Sequence, residues 1–181
     1  MQGEEKCRIF KDKCRIDVGT NMNIEQKLNK EITTIFKTSF KNTNVSGVDS
    51  LTFTDFLSDK MSIIKVIRSG VPYSLFVLIK DVAPFSEGDW AGFLNISTKS
   101  LLRYKQTSKQ FKPLQSEKII EMAEVTNVGK EVFGSMEKFK LWLNTPTFSL
   151  GNMKPIELLK DSYGKELVIS ELTRINHGIF V

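Results

Sequence analysis

The chain has 181 residues, 40% hydrophobic and 26% charged, with a net charge of +5 at neutral pH. That balance suits one globular domain or two small ones sharing a core, and no apolar run approaches the roughly 20 residues that span a bilayer. The 2 cysteines and single histidine are too few to complete a tetrahedral zinc site, and a histidine-dependent hydrolase would have to be built on His177 alone.

In chain order, residues 1–58 form the least regular part. Met1 to Phe10 lacks the apolar core and cleavage site of a signal peptide, so the cytoplasm is the expected compartment, with Cys7 and Cys14 as free thiols and a disulfide between them as the alternative. Ile24, Leu28, Ile32, Ile35 and Phe36 fall on one helical face, while residues 41–47 are polar and read as a loop. The segment is expected as an extension, partly flexible, with one amphipathic helix.

From Asp59 the pattern turns to short helices. Asp59 caps a helix over residues 61–68 that Gly70 stops, and a second helix can start after Pro72 and end before Pro84. The apolar run Leu75, Phe76, Leu78, Ile79 and Val82 fits a strand by pattern, but its place among helices favours a helix. Ser86 and Ser97 then cap two helices of two to three turns, joined by about three residues, which is a helix-turn-helix unit. Leu101 and Leu102 are read as packing its second helix down, with Thr98, Lys99 and Arg103 facing out.

Ser116 is expected to open a longer helix with Ile119, Met122, Ala123, Thr126 and Phe133 on one stripe, weakened at its end by Gly129. Ser135 starts another, carrying Met136, Phe139, Trp142 and Leu143 until Pro146 breaks it. Pro155 begins a single turn, and residues 165–177 form a last helix that Gly178 terminates. With no convincing strand pair and no internal repeat, the chain reads as all-α.

Residues 96–118 hold six basic side chains (Lys99, Arg103, Lys105, Lys109, Lys112 and Lys118) against one acidic, Glu117. Short polar and basic groups on a second helix reach base edges, and neighbouring lysines sit on phosphates. The candidate DNA-binding residues are Ser97, Thr98, Lys99, Ser100, Arg103, Tyr104, Lys105, Lys109 and Lys112. A solvated basic face is the plain alternative, and Glu87 or Asp89 could take Arg103 in an ion pair. One short helix makes few base contacts, so a homodimer on a palindrome is expected.

Enzyme signatures are missing: there is no phosphate-cradling glycine loop, and no histidine accompanies Glu117, Glu121 and Glu124, which read as a solvated helix side. No catalytic residue, metal or cofactor is expected.

The C-terminal third carries a phenylalanine–glycine turn (Phe133-Gly134) and a helix ending in Trp142-Leu143. Pro146, a Leu150-Gly151 loop, a Pro155 turn with Leu158 and Leu159, a helix led by Gly164 and a tail from Gly178 follow. This order resembles the C-terminal domain of the Xre/MbcA/ParS antitoxin family, with Asn152 standing where that family often has a second glycine. The segment from Asp59 to about Gln115 is similar to the family's Xre-like helix-turn-helix domain.

The resemblance implies a helix-turn-helix domain (59–115) and a toxin-binding domain (116–181), and the extension (1–58) falls outside it. It implies an antitoxin that represses its own operon and covers the active site of a partner, commonly a RES-domain toxin that consumes NAD or transfers ADP-ribose from it. Candidate toxin-binding residues are Trp142, Phe148, Leu150, Arg174, His177, Gly178, Ile179, Phe180 and Val181, of which Trp142 and Leu150 also fit a core role. The remaining alternative is a DNA-binding regulator without a toxin.

Overall fold

The computed structural model describes residues 16–39, 52–107 and 110–179, so the polar tract at residues 41–47 lies outside the described residues. The chain divides into two compact units, residues 1–53 and 54–181. The first contains helix α1 (Ile16–Ser39), longer than the spacing of its apolar residues predicts, with Leu28, Ile32 and Ile35 buried. Within this unit the Asn29 side-chain carbonyl accepts the Phe53 backbone N–H at 2.7 Å.

The second unit begins at Thr54, inside α2 (Phe53–Ser58), and takes in α3 (Lys60–Ser69), α4 (Tyr73–Val82), α5 (Glu87–Phe93) and α6 (Thr98–Thr107). It continues with α7 (Pro113–Phe133), α8 (Met136–Leu143), α9 (Pro155–Leu158) and α10 (Ser162–Asn176). Among the described residues there is no strand, only an isolated bridge between Thr147 and Met153, so the all-α reading holds. The run 75–82 is helical. The short α2, inside the segment expected as an irregular extension, has no counterpart in the sequence reading.

Local signals set most boundaries. Asp59 accepts the Met61 N–H at 3.0 Å, and Gly70 closes α3 at φ 88°. Ser86 and Asp89 form a reciprocal capping box at the start of α5. The Ser97 hydroxyl accepts the Ser100 N–H at 3.1 Å, capping α6.

Ser116 departs from its expected role. α7 begins at Pro113, where the missing N–H costs nothing, so Ser116 lies inside the first turns, fully buried. Its hydroxyl accepts the Val71 N–H at 2.9 Å and donates to the Phe111 carbonyl at 3.1 Å, while the Phe111 N–H donates to the Val71 carbonyl at 2.8 Å. The α3–α4 connection is thereby laced to the segment entering α7. Gly70 is required beside it: a Cβ there would lie 2.6 Å from the Phe111 carbonyl oxygen.

α7 is the central element. It packs against α3 and α4 on one part of its length and against α8 and α10 on another. Gly129, expected to weaken it, instead leaves room for the Phe139 ring, since a Cβ would come within 2.3–2.5 Å of that ring. Gly164 does the same for α10, where a Cβ would meet the Leu158 carbonyl oxygen at 2.0 Å.

Of the acidic residues of α7 expected as a solvated row, Glu117 is exposed, but Glu121 and Glu124 are partly buried and paired. Glu121 pairs with Lys118 at 2.9 Å. Glu124 binds Lys60 at 2.8 Å and also Lys165, tying α3, α7 and α10 together. Partial burial raises the Glu124 carboxyl pKa, but the hydrogen bonds from Lys165 and Lys60 outweigh it and hold the group below the usual carboxylate range.

Two measurements check this framework. Ser116→Ala strands the buried Val71 N–H and is expected to cost about 1–3 kcal/mol, read as a lower urea midpoint with unchanged slope. Glu124→Gln is expected to cost about 1–2 kcal/mol at neutral pH. Because the folded pKa of Glu124 is depressed, its contribution is present above the unfolded value and lost as pH falls through the folded one. The gap in melting temperature between wild type and variant therefore closes in acid, below about pH 4.

Candidate functional site

Two surfaces of the second unit gather the residues singled out in the sequence. The first is built on α5 and α6. α5 ends in a left-handed residue, Asn95 at φ 49°, with the Ile96 N–H bonded to the Ala91 carbonyl (3.0 Å) and the Asn95 N–H to that of Gly92 (3.2 Å). This double closure is a Schellman motif with asparagine in the usual glycine position, and it fixes the angle at which the chain enters α6.

An aromatic series seats the pair. Phe85 and Phe76 meet Trp90 edge-on at 5.7 and 5.1 Å, Phe76 lies 5.0 Å from Phe111, and Tyr104 stacks on Phe111 at 4.4 Å. Tyr104 thus helps hold α6 down, as does Leu101, which is buried. Leu102, expected to pack beside Leu101, instead points outward and is 53% exposed. At 100° per residue the two leucines cannot share one narrow face, and the Leu101–Tyr104 side faces the core.

The outward side carries Thr98, Lys99, Arg103, Lys105 and Gln106, all exposed. Ser97 and Ser100 are partly committed to the helix start, their hydroxyls 3.0 Å apart. Glu87 is taken by Lys80 at 2.6 Å, which lowers its pKa, and Asp89 is engaged with Ser86, so neither holds Arg103. Between α6 and the start of α7 opens a groove of about 400 Å³, with Arg103, Thr107, Lys112 and Gln115 on its walls. Lys109 lies outside the described residues. No acidic residue occurs between Asn95 and Ser116, although Glu87 of α5 lies near enough to Lys105 for the two charges to interact.

The second surface belongs to residues 129–178. Trp142 is half-buried, stacked over Phe139 at 6.2 Å and against Phe133 at 5.7 Å. Leu150 is buried. Phe148, two residues earlier, is 75% exposed. The loop between α8 and α9 separates them: the Thr147 N–H donates to the Met153 carbonyl at 3.1 Å and the Asn152 N–H to that of Thr147 at 3.0 Å. Gly151 and Asn152 both adopt left-handed φ, 68° and 57°, so Asn152 supplies the conformation for which a second glycine would serve.

α10 ends in another Schellman closure, Ile179 N–H to Arg174 carbonyl (2.9 Å) and Gly178 N–H to Ile175 carbonyl (3.0 Å), with Gly178 at φ 69°. Arg174 remains partly exposed, loosely paired with Glu171 at 3.6 Å; His177 and Ile179 are exposed. Phe180 and Val181 lie outside the described residues. Leu141, Met153 and Tyr163 are further exposed apolar side chains of this region, at 70%, 45% and 83%. The sequence reading missed them, although Leu141 stands off the Met136–Phe139–Leu143 stripe and that displacement is legible.

The model of the antitoxin Xre/MbcA/ParS C-terminal toxin-binding domain matches residues 129–178. An antitoxin Xre of Yersinia enterocolitica is 31% identical over 86 residues, which are 47% of this chain and 58% of that protein. An antitoxin Xre of Photorhabdus laumondii is 25% identical over 115 residues, 63% of this chain and 78% of that protein. Residues 129–178 thus match the toxin-binding domain model, and the chain spans 58% of the length of the Yersinia relative it resembles.

Proposed function

We propose that this protein is the antitoxin of a type II toxin–antitoxin pair. The observation that carries the reading is the toxin-binding domain at residues 129–178, which displays the Phe148 side chain on a loop closed by its own backbone bonds. Large apolar groups held rigidly and left in water are what a protein partner covers at the centre of an interface. The partner is a RES-domain toxin that consumes NAD or transfers ADP-ribose from it, as the family resemblance implies.

Neutralisation is steric. The exposed end of α10, with Arg174, His177, Gly178 and Ile179, continues into Phe180 and Val181 and covers the nucleotide pocket of the toxin. A guanidinium at Arg174 pairs there with groups that handle pyrophosphate. Trp142 and Leu150 support this surface from beneath, and Phe148 anchors it.

The other surface binds operator DNA. α6 enters the major groove, with Lys99, Lys105, Lys109 and Lys112 on phosphates, and a homodimer on a palindromic site represses the operon. The protein acts in the cytoplasm, where toxin and operator are both found.

The deciding experiment co-expresses the chain with the product of its neighbouring reading frame and scores growth and co-purification. Rescue and a stable complex are expected; no toxic neighbour and no complex leave a DNA-binding regulator. Phe148→Ala is expected to weaken the complex about thirtyfold or more without lowering the melting temperature. Leu150→Ala, by contrast, is expected to cost stability, about 2–5 kcal/mol. For the DNA surface, four phosphate contacts predict a slope of about −3.6 per protomer in log affinity against log salt. A flat dependence in a titration of duplex DNA removes those lysines from the backbone.

A further inference from the structure

The outermost stripe of α6 is not purely basic. Lys99, Leu102 and Gln106 fall within about 60° of arc, opposite Leu101 and Tyr104, with Arg103 beside them. Leu102 is 53% exposed and Gln106 is exposed. An isolated exposed leucine on a protein surface is ordinary. This one sits at the centre of a face whose flanks carry cations and around which the sequence has no acid from Asn95 to Ser116. Its charge favours a polyanion as the occupant, and its apolar centre suits an apolar group on that polyanion.

Duplex DNA meets both requirements in the major groove, where each thymine presents a 5-methyl group and each adenine an acceptor–donor pair that a glutamine amide reads bidentately. We infer that Leu102 is a specificity-determining residue that reads a thymine methyl group, and that Gln106, one turn further along, reads a nearby adenine. Neither residue is among the DNA-binding candidates of the sequence. The inference rests on the reading of α6 as the groove-entering helix.

The division of labour follows from side-chain chemistry. Lys112, on the wall of the adjoining groove, carries charge suited to phosphates, whose contacts position the protein and carry no sequence information. Leu102 adds no charge, so its contact leaves the salt dependence unchanged and alters only which base pair is preferred. About half of the Leu102 side chain is open to water, so Leu102→Ala is expected to fold and to melt close to the wild type.

The test selects a duplex from a random-sequence pool with the full-length protein, then replaces each thymine in turn by uracil, which deletes only the methyl group. Wild type is expected to lose about fourfold in affinity at one thymine per half-site, the worth of one buried methyl group. Leu102→Ala is expected to bind the thymine duplex as weakly as wild type binds the uracil one, and to ignore that replacement. Gln106→Ala is expected to lose about tenfold in discrimination at an adjacent A·T pair. Equal responses of wild type and Leu102→Ala at every position overturn the assignment while DNA binding stands. A Leu102→Ala protein that becomes monomeric in sedimentation and loses all duplexes alike places the leucine between protein copies, and also overturns it. If no duplex is enriched, the groove-entering reading of α6 fails and the assignment fails with it.

Discussion

A single buried hydroxyl organises the second unit. Ser116 takes the Val71 N–H and gives its own proton to the Phe111 carbonyl, and Phe111 returns an N–H to Val71. These backbone groups lie where water does not reach, so their satisfaction is obligatory rather than optional. The bonds place the Phe111 ring, the ring places Tyr104 by stacking, and Tyr104 orients α6. The basic surface therefore takes its direction from a contact at the foot of a different helix. Gly70, the one residue type that fits against the Phe111 carbonyl, lets the chain approach closely enough for the bonds to form.

Much of the fold could be read from the chain because helix ends are local affairs. As helix caps, Asp59, Gly70, Ser86 and Ser97 act within four residues of themselves, and each performs as its type predicts, although Gly70 also makes its distant approach to Phe111. Ser116 has the same chemistry but a partner 45 residues away, so reading it as a cap mistook a tertiary bond for a local one. Gly129 misled for a related reason: its cost to an isolated helix is visible in sequence, whereas the ring that needs the space belongs to α8. The C-terminal domain was legible through the fixed order of its turns and aromatic residues, which no periodicity argument supplies.

The candidate surfaces were legible in outline and not in detail. Apolar type alone does not tell Phe148 from Leu150, or Leu101 from Leu102; the loop closure at Thr147 and Met153 and the direction of the Tyr104 stack do. In both pairs one residue supports the structure and its neighbour is left in water. Trp142 combines the two, stacked on its inner side and partly open on the other.

α7 has one more consequence. Its 21 residues, from Pro113 beside the basic groove to Phe133 beneath Trp142, span about 30 Å along an unbroken helix. The helix serves as a ruler: its ends, one at each surface, are held at a set separation by backbone geometry rather than by a linker. Two ligands bound at once would be spaced by the molecule itself, and inserting one residue in mid-helix would turn one surface about 100° around the axis relative to the other.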